Sequence, residues 1–189
     1  MNPSDAERIP PGQVLVGDFP VLHAGSVVRV DRESWRLDIF GSVDPGLTLD
    51  WDGLLSLPAT EQIRDIHCVT GWTKLDTRWK GVRVAALLED VGVLPQARHA
   101  VVHATGGWTT NLPLEELLRD DVLVAYEYDG RPISVEHGGP VRLLVPRLYF
   151  WKSAKWLQGI EFTPDERLGY WETRGYHALG DPWLEQRYS

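Results

Sequence analysis

VLVAYEYDGRPISV, residues 122–135, sets the pair Asp129-Gly130 between two apolar runs. An Asp-Gly pair reaches the positive φ that a two-residue hairpin turn demands, so the stretch reads as a β-hairpin. Just after it, VRLLVP (141–146) has the unbroken apolar character of a central strand, and GIEFT (159–163) reads as another. Before it, HAVVHA (99–104) is a strand that runs into the Gly106-Gly107 turn. Trp35, Leu37 and Ile39 alternate with polar residues in WRLDIFG (35–41), the pattern of a half-buried strand. The segment from Ile63 to Val69 is also extended, with Cys68 near its end and the Thr70-Gly71 break behind it.

Helical signals are short. Asp50 is placed to cap WDGLLSL, which Pro58 ends. Val84, Leu87, Leu88 and Val91 follow i, i+3, i+4, i+7 spacing with Gly92 as the stop, and LPLEELLR (112–119) carries Pro113 in its expected first turn. Strands outnumber helices and the connections are mixed. The expectation is an α+β fold with a mixed, curved or barrel-like β-sheet and short helices. Residues 1–18, rich in Pro, Gly and polar side chains, read as an extended arm, and 19–189 as one domain without internal repeat.

Composition excludes several classes. A net charge of -8 argues against nucleic acid or an anionic membrane surface as partner, and no apolar run is long enough for a membrane span. One cysteine in 189 residues forms no intramolecular disulfide, and MNPSDAERIPPGQ has no secretory apolar core, so the expected location is cytoplasmic.

Three stretches carry chemistry. DIHCVTGW (65–72) holds the lone Cys68; adjacent strand side chains point to opposite faces, so His67 is a poor base for it, and no hydrolase signature accompanies it. HGGPVRLLVPRLYFWKSAKW (137–156) holds Arg142, Arg147, Lys152 and Lys155 without an acid, and its Gly138-Gly139 pair permits close backbone approach to a ligand. HATGGWTTNLPLEELL (103–118) offers a Thr105 hydroxyl and a Trp108 wall on a turn after a strand.

In their order and spacing these stretches, with FPVLH (19–23) and GYHALGDPW (175–183), resemble the molybdopterin-dependent oxidoreductases of the sulfite oxidase family, especially small bacterial members that consist of the catalytic domain alone. The resemblance runs from about Phe19 to Tyr188. It implies the sulfite oxidase catalytic-domain fold and a molybdenum-molybdopterin cofactor whose metal takes the thiolate of Cys68, a soft ligand suited to a sulfur-rich site. It implies that His23, Thr105, His137, Arg142, Ser153, Ala154 and Lys155 hold the pterin and its phosphate, and that Tyr176 is the active-site tyrosine. Val21, Trp72 and Thr73 stand where sulfite-oxidising members place arginines, and Lys74 is the nearby cation. Sulfite is therefore a doubtful substrate. The function implied is oxygen-atom transfer on a small oxo substrate, with electrons exchanged through a separate redox protein. The competing reading is a molybdopterin-binding or storage protein without turnover.

Overall fold

The computed structural model describes residues 3–18 and 20–189. Phe19, the first residue of FPVLH and of the expected domain, lies outside the described residues.

Asp129 and Gly130 take φ values of 49° and 70°, so both central turn positions are left-handed, as a type I′ hairpin requires. The chain order is α1 (Pro3–Ala6), β1 (Val14–Leu15), β2 (Arg36–Gly41), β3 (Leu47–Asp50), α2 (Trp51–Ser56), β4 (Ala59–His67) and β5 (Trp72–Arg83). After these come α3 (Val84–Leu87), β6 (His99–Ala104), β7 (Trp108–Pro113), α4 (Leu114–Leu117), β8 (Leu123–Tyr128), β9 (Arg131–Pro132), β10 (Arg142–Leu144) and β11 (Leu157–Thr163). Two mixed sheets result. The first has the order β1-β5-β8-β10, with β4 on β5 and β9 on β8; the second runs β3-β2-β11-β6-β7. Neither closes into a barrel.

β8 shows why the apolar run at 122–126 is continuous: it is buried on both faces. Val124 and Tyr126 join the core between the sheets, with Leu37, Ile39, Val102, Ile160 and Phe162. Leu123 and Ala125 face the other way, into a second cluster with Ile66, Cys68, Trp72, Trp79, Tyr149 and Phe150. The second cluster positions the site.

The α2 cap is as read, with Asp50 Oδ1 accepting from the Gly53 amide at 2.8 Å. Two other helices are shorter than their spacing suggests. α3 is a single turn; Val91 is buried without being helical. Gly92 is not a helix stop: a Cβ there would lie 2.0 Å from the Asp44 carbonyl oxygen, so the residue permits a close backbone crossing. Pro113 ends β7, paired with His99, and helix α4 begins only after it. The expected extended arm, as far as it is described (3–18), carries α1 and then β1, which runs parallel to β5 with Val14 opposite Trp72. No helix among the described residues is long and apolar enough to cross a membrane.

Candidate active site

Four residues, 68–71, join β4 to β5. The Cys68 amide donates to Trp72 O at 2.8 Å and the Gly71 amide to Cys68 O at 2.9 Å, with Gly71 at φ 97°. Both chain ends clasp this loop. Gln13 Nε2 donates to Cys68 O at 3.0 Å and Arg187 Nη1 to Val69 O at 2.5 Å. The Cys68 side chain is nearly buried, and Thr70 Oγ1 approaches its sulfur at 3.2 Å. Burial raises the thiol pKa, opposed by Thr70, Arg187 and Lys155. His67 turns from the sulfur: its Nδ1 shares a 2.8 Å hydrogen bond with Thr73 Oγ1, and burial brings its pKa down to about 4. It is neutral at pH 7.

Cys68 lines a cavity of about 340 Å³. Eight of the nine residues singled out for the site meet on its wall: His23, Cys68, His137, Arg142, Ser153, Ala154, Lys155 and Tyr176. Thr105 does not. Its hydroxyl lies 3.4 Å from Trp156 O, to which its amide donates at 2.9 Å, so it supports a wall residue instead.

Two cations line the cavity. Arg142 is 1% exposed; its guanidinium stacks 4.2 Å from the Phe150 ring centroid and donates to His137 O at 2.7 Å and Ser153 O at 2.6 Å. No carboxylate stands within ion-pair distance of it among the described residues, and burial lowers its pKa to about 9. Lys155 Nζ donates to Leu22 O at 2.8 Å and Glu136 O at 2.6 Å. Burial first, then Arg142, brings its pKa down to about 8. Burial, Arg142 and Lys155 likewise lower that of His137 to about 4. The other two cations of the acid-free segment serve elsewhere. Arg147 pairs with Glu116 at 2.6 Å and Asp181 at 3.3 Å, and Lys152 pairs with Glu172 at 2.6 Å. The glycine pair has a different purpose from the one read in the sequence. At Gly138, φ 100°, a Cβ would lie 2.7 Å from Lys155 Cβ, and at Gly139 one would lie 2.0 Å from Ile133 O. The glycines seat Lys155 and the neighbouring chain.

Much of the wall is aromatic. Trp72, Trp108, Trp151, Trp171 and Tyr176 line the cavity, and the Tyr176 ring packs 5.2 Å from Trp151 and 5.0 Å from Trp171. Lys74 is absent from this wall; it donates to Gly17 O and pairs with Asp18 at 3.5 Å. Thr73 is buried against His67, and Val21 is 48% exposed. Among the described residues no Asp or Glu lines the cavity, in a chain with 27 of them.

Residues 24–171 match the family described as oxidoreductase molybdopterin binding domain. The chain belongs to this molybdopterin-binding oxidoreductase family. It is 47% identical over 183 residues to the uncharacterized oxidoreductase YuiH of Bacillus subtilis, covering 96% of this chain and 92% of the relative. It is 28% identical to the putative protein-methionine-sulfoxide reductase subunit YedZ1 of Azospira oryzae, over 95% of this chain and 69% of the relative. Human mitochondrial sulfite oxidase is 26% identical, over 94% of this chain and 39% of the relative. Among solved structures, the sulfane dehydrogenase SoxCD from Paracoccus pantotrophus shares the fold, with a TM-score of 0.69 at 23% identity over 76% of this chain and 41% of that one. The family's domain binds molybdopterin. The cavity fits that group: a buried guanidinium without a carboxylate partner matches a phosphate, and a lone thiol on the same wall matches a soft metal.

Trp151 and Trp171 line the cavity without having been singled out, and the Lys152–Glu172 pair lies outside its wall. Lys152, lying between Trp151 and Ser153, has the same local sequence whether solvated or buried, and its partner Glu172 is twenty residues away.

Proposed function

We propose that this chain is a molybdopterin-dependent oxidoreductase that removes the oxygen atom from a neutral sulfoxide or N-oxide, with electrons supplied by a separate redox protein. The observation that carries the reading is a cavity whose described lining holds a thiol, two cations and five tryptophans but no acid. In this reading Cys68 ligates the metal. Arg142 and Lys155 bind the phosphate as cations. His137, neutral at pH 7, His23 and the backbone of Ser153 and Ala154 orient the pterin, and Thr105 acts through Trp156. When bound, the cofactor supplies the electron pair for the transfer.

For a sulfoxide, the S–O bond breaks, two electrons and two protons are consumed, and a thioether and water leave. Tyr176 keeps its phenol proton at neutral pH, because burial raises its pKa further, and so can donate a hydrogen bond to the departing oxygen. The aromatic wall excludes water and accepts apolar substituents. A dianion such as sulfite gains no bidentate partner at Val21, Trp72 or Thr73 and loses its hydration on entry. A cytoplasmic setting belongs to the same reading, since a lone thiol there stays free for metal.

The test is protein purified from a host that makes the cofactor, assayed for metal and pterin, then for sulfoxide and N-oxide reduction with a reduced dye against sulfite oxidation. About one molybdenum and one pterin per chain, with oxo-acceptor turnover exceeding sulfite turnover, is the expected result. Stoichiometric zinc or iron without pterin overturns the cofactor assignment, and a kcat/KM for sulfite above about 10⁵ M⁻¹s⁻¹ overturns the substrate class. Full loading without turnover on any acceptor assigns a storage role.

A further inference from the structure

Behind the aromatic wall lies an ion pair removed from water. Lys152 Nζ and Glu172 Oε1 are 2.6 Å apart with both side chains at 0% exposure. The same oxygen accepts from Thr110 Oγ1 at 2.8 Å and from the indole N–H of Trp151 at 2.9 Å. Glu172 Oε2 is buried with no hydrogen-bond partner among the described residues and faces Gly169, where a Cβ would stand 2.6 Å from it. All of the carboxylate's hydrogen bonds thus converge on one oxygen. The ammonium donates in turn to Asn111 O at 2.8 Å, Asn111 Oδ1 at 3.0 Å and Ala178 O at 2.6 Å. Three parts of the chain meet at this pair: β7, the 150–152 turn, and the 171–178 loop that carries Tyr176.

Desolvating two charges consumes much of their attraction, and apolar replacements of a whole buried pair are often as stable. Stability alone therefore does not call for ions here. A carboxylate does what a hydrocarbon cannot: it aims the Trp151 indole, a ring of the cavity wall, while Lys152 ties the loop beyond Tyr176 to β7. Trp171, the residue before Glu172, and Trp151 flank Tyr176 on two sides. We infer that the buried Lys152–Glu172 pair is a positioning element that fixes the spacing of Trp151, Trp171 and Tyr176, and so selects oxo substrates bearing a flat, bulky apolar substituent. The inference rests on the sulfoxide or N-oxide reading above.

The test compares wild type, Glu172→Gln and the double variant Lys152→Met/Glu172→Leu. The single variant leaves a buried ammonium without a counterion and lowers the melting temperature. The double variant leaves no charge at this place, so it folds and retains cofactor. Its KM for methyl phenyl sulfoxide rises about tenfold while its KM for dimethyl sulfoxide and its kcat per bound metal hold, the size of effect expected for loosened apolar contacts. Its near-ultraviolet circular dichroism, which reports the tryptophan environments, also changes. A double variant with unchanged spectrum and unchanged aryl-to-dimethyl ratio, in turnover or in binding by tryptophan fluorescence quenching, overturns the inference. Failure of the underlying reading has a different signature: wild type that turns over no oxo acceptor.

Discussion

Cys68 sits where burial raises its pKa, so in the proposed reading, where a soft metal takes the thiolate, ligation itself would draw off the proton. Cys68→Ser offers a hard, protonated hydroxyl instead. Molybdenum content and metal-linked absorption should vanish in that variant while the melting temperature holds, and retained metal would refute the assignment. Lys155 gives a pH signature. Its pKa is lowered to about 8, so between that value and the unfolded 10.5 the unfolded chain binds more protons, and stability of cofactor-free protein rises across this window. A bound phosphate favours the ammonium, so cofactor affinity falls as pH climbs through about 8. Metal retained after desalting below and above that pH measures it. Cys68 was legible as a residue of the cavity wall because a single thiol beside a turn has few roles, and the order of the surrounding motifs narrows them. Lys152 was not, because whether a lysine is solvated or paired depends on Glu172, brought to it by the fold.

At the scale of elements, signals with a local cause were readable. Asp129-Gly130 sets its own turn, and Asp50 its own cap. Asp50→Ala should lower stability by about 1 kcal/mol in denaturant unfolding and leave cofactor content unchanged, because α2 lies away from the cavity. Gly138→Ala should affect both. It strains a left-handed position by about 1–3 kcal/mol and presses on Lys155, so stability and cofactor retention fall together. The α3 and α4 boundaries were misread for a non-local reason. Val91 is buried by tertiary packing outside any helix, and Pro113 is committed to β7 by its partner His99. Periodicity reports which side chains are buried; it does not say whether the backbone between them is helical.

Over the whole molecule, the first residues form a strap. Arg8 holds Asp65 and Asp76 at 2.6 Å each, β1 adds to β5, Gln13 holds Cys68 O, and residues 20 and 22–24 line the cavity. Removing residues 1–24 should therefore strip the cofactor on gel filtration while the two-sheet core still unfolds cooperatively, measured by metal content and circular dichroism. The tail closes the circuit, since Arg187 reaches Val69 O and, at 3.4 Å, Gly12 O, a residue 175 positions earlier. Such a contact cannot form on a growing chain. Cys68 leaves the ribosome long before Arg187 is made, so during synthesis the thiol loop lacks its second clasp. In the proposed reading the loop that offers the thiolate to the metal is therefore fully clasped only after Arg187 has been made.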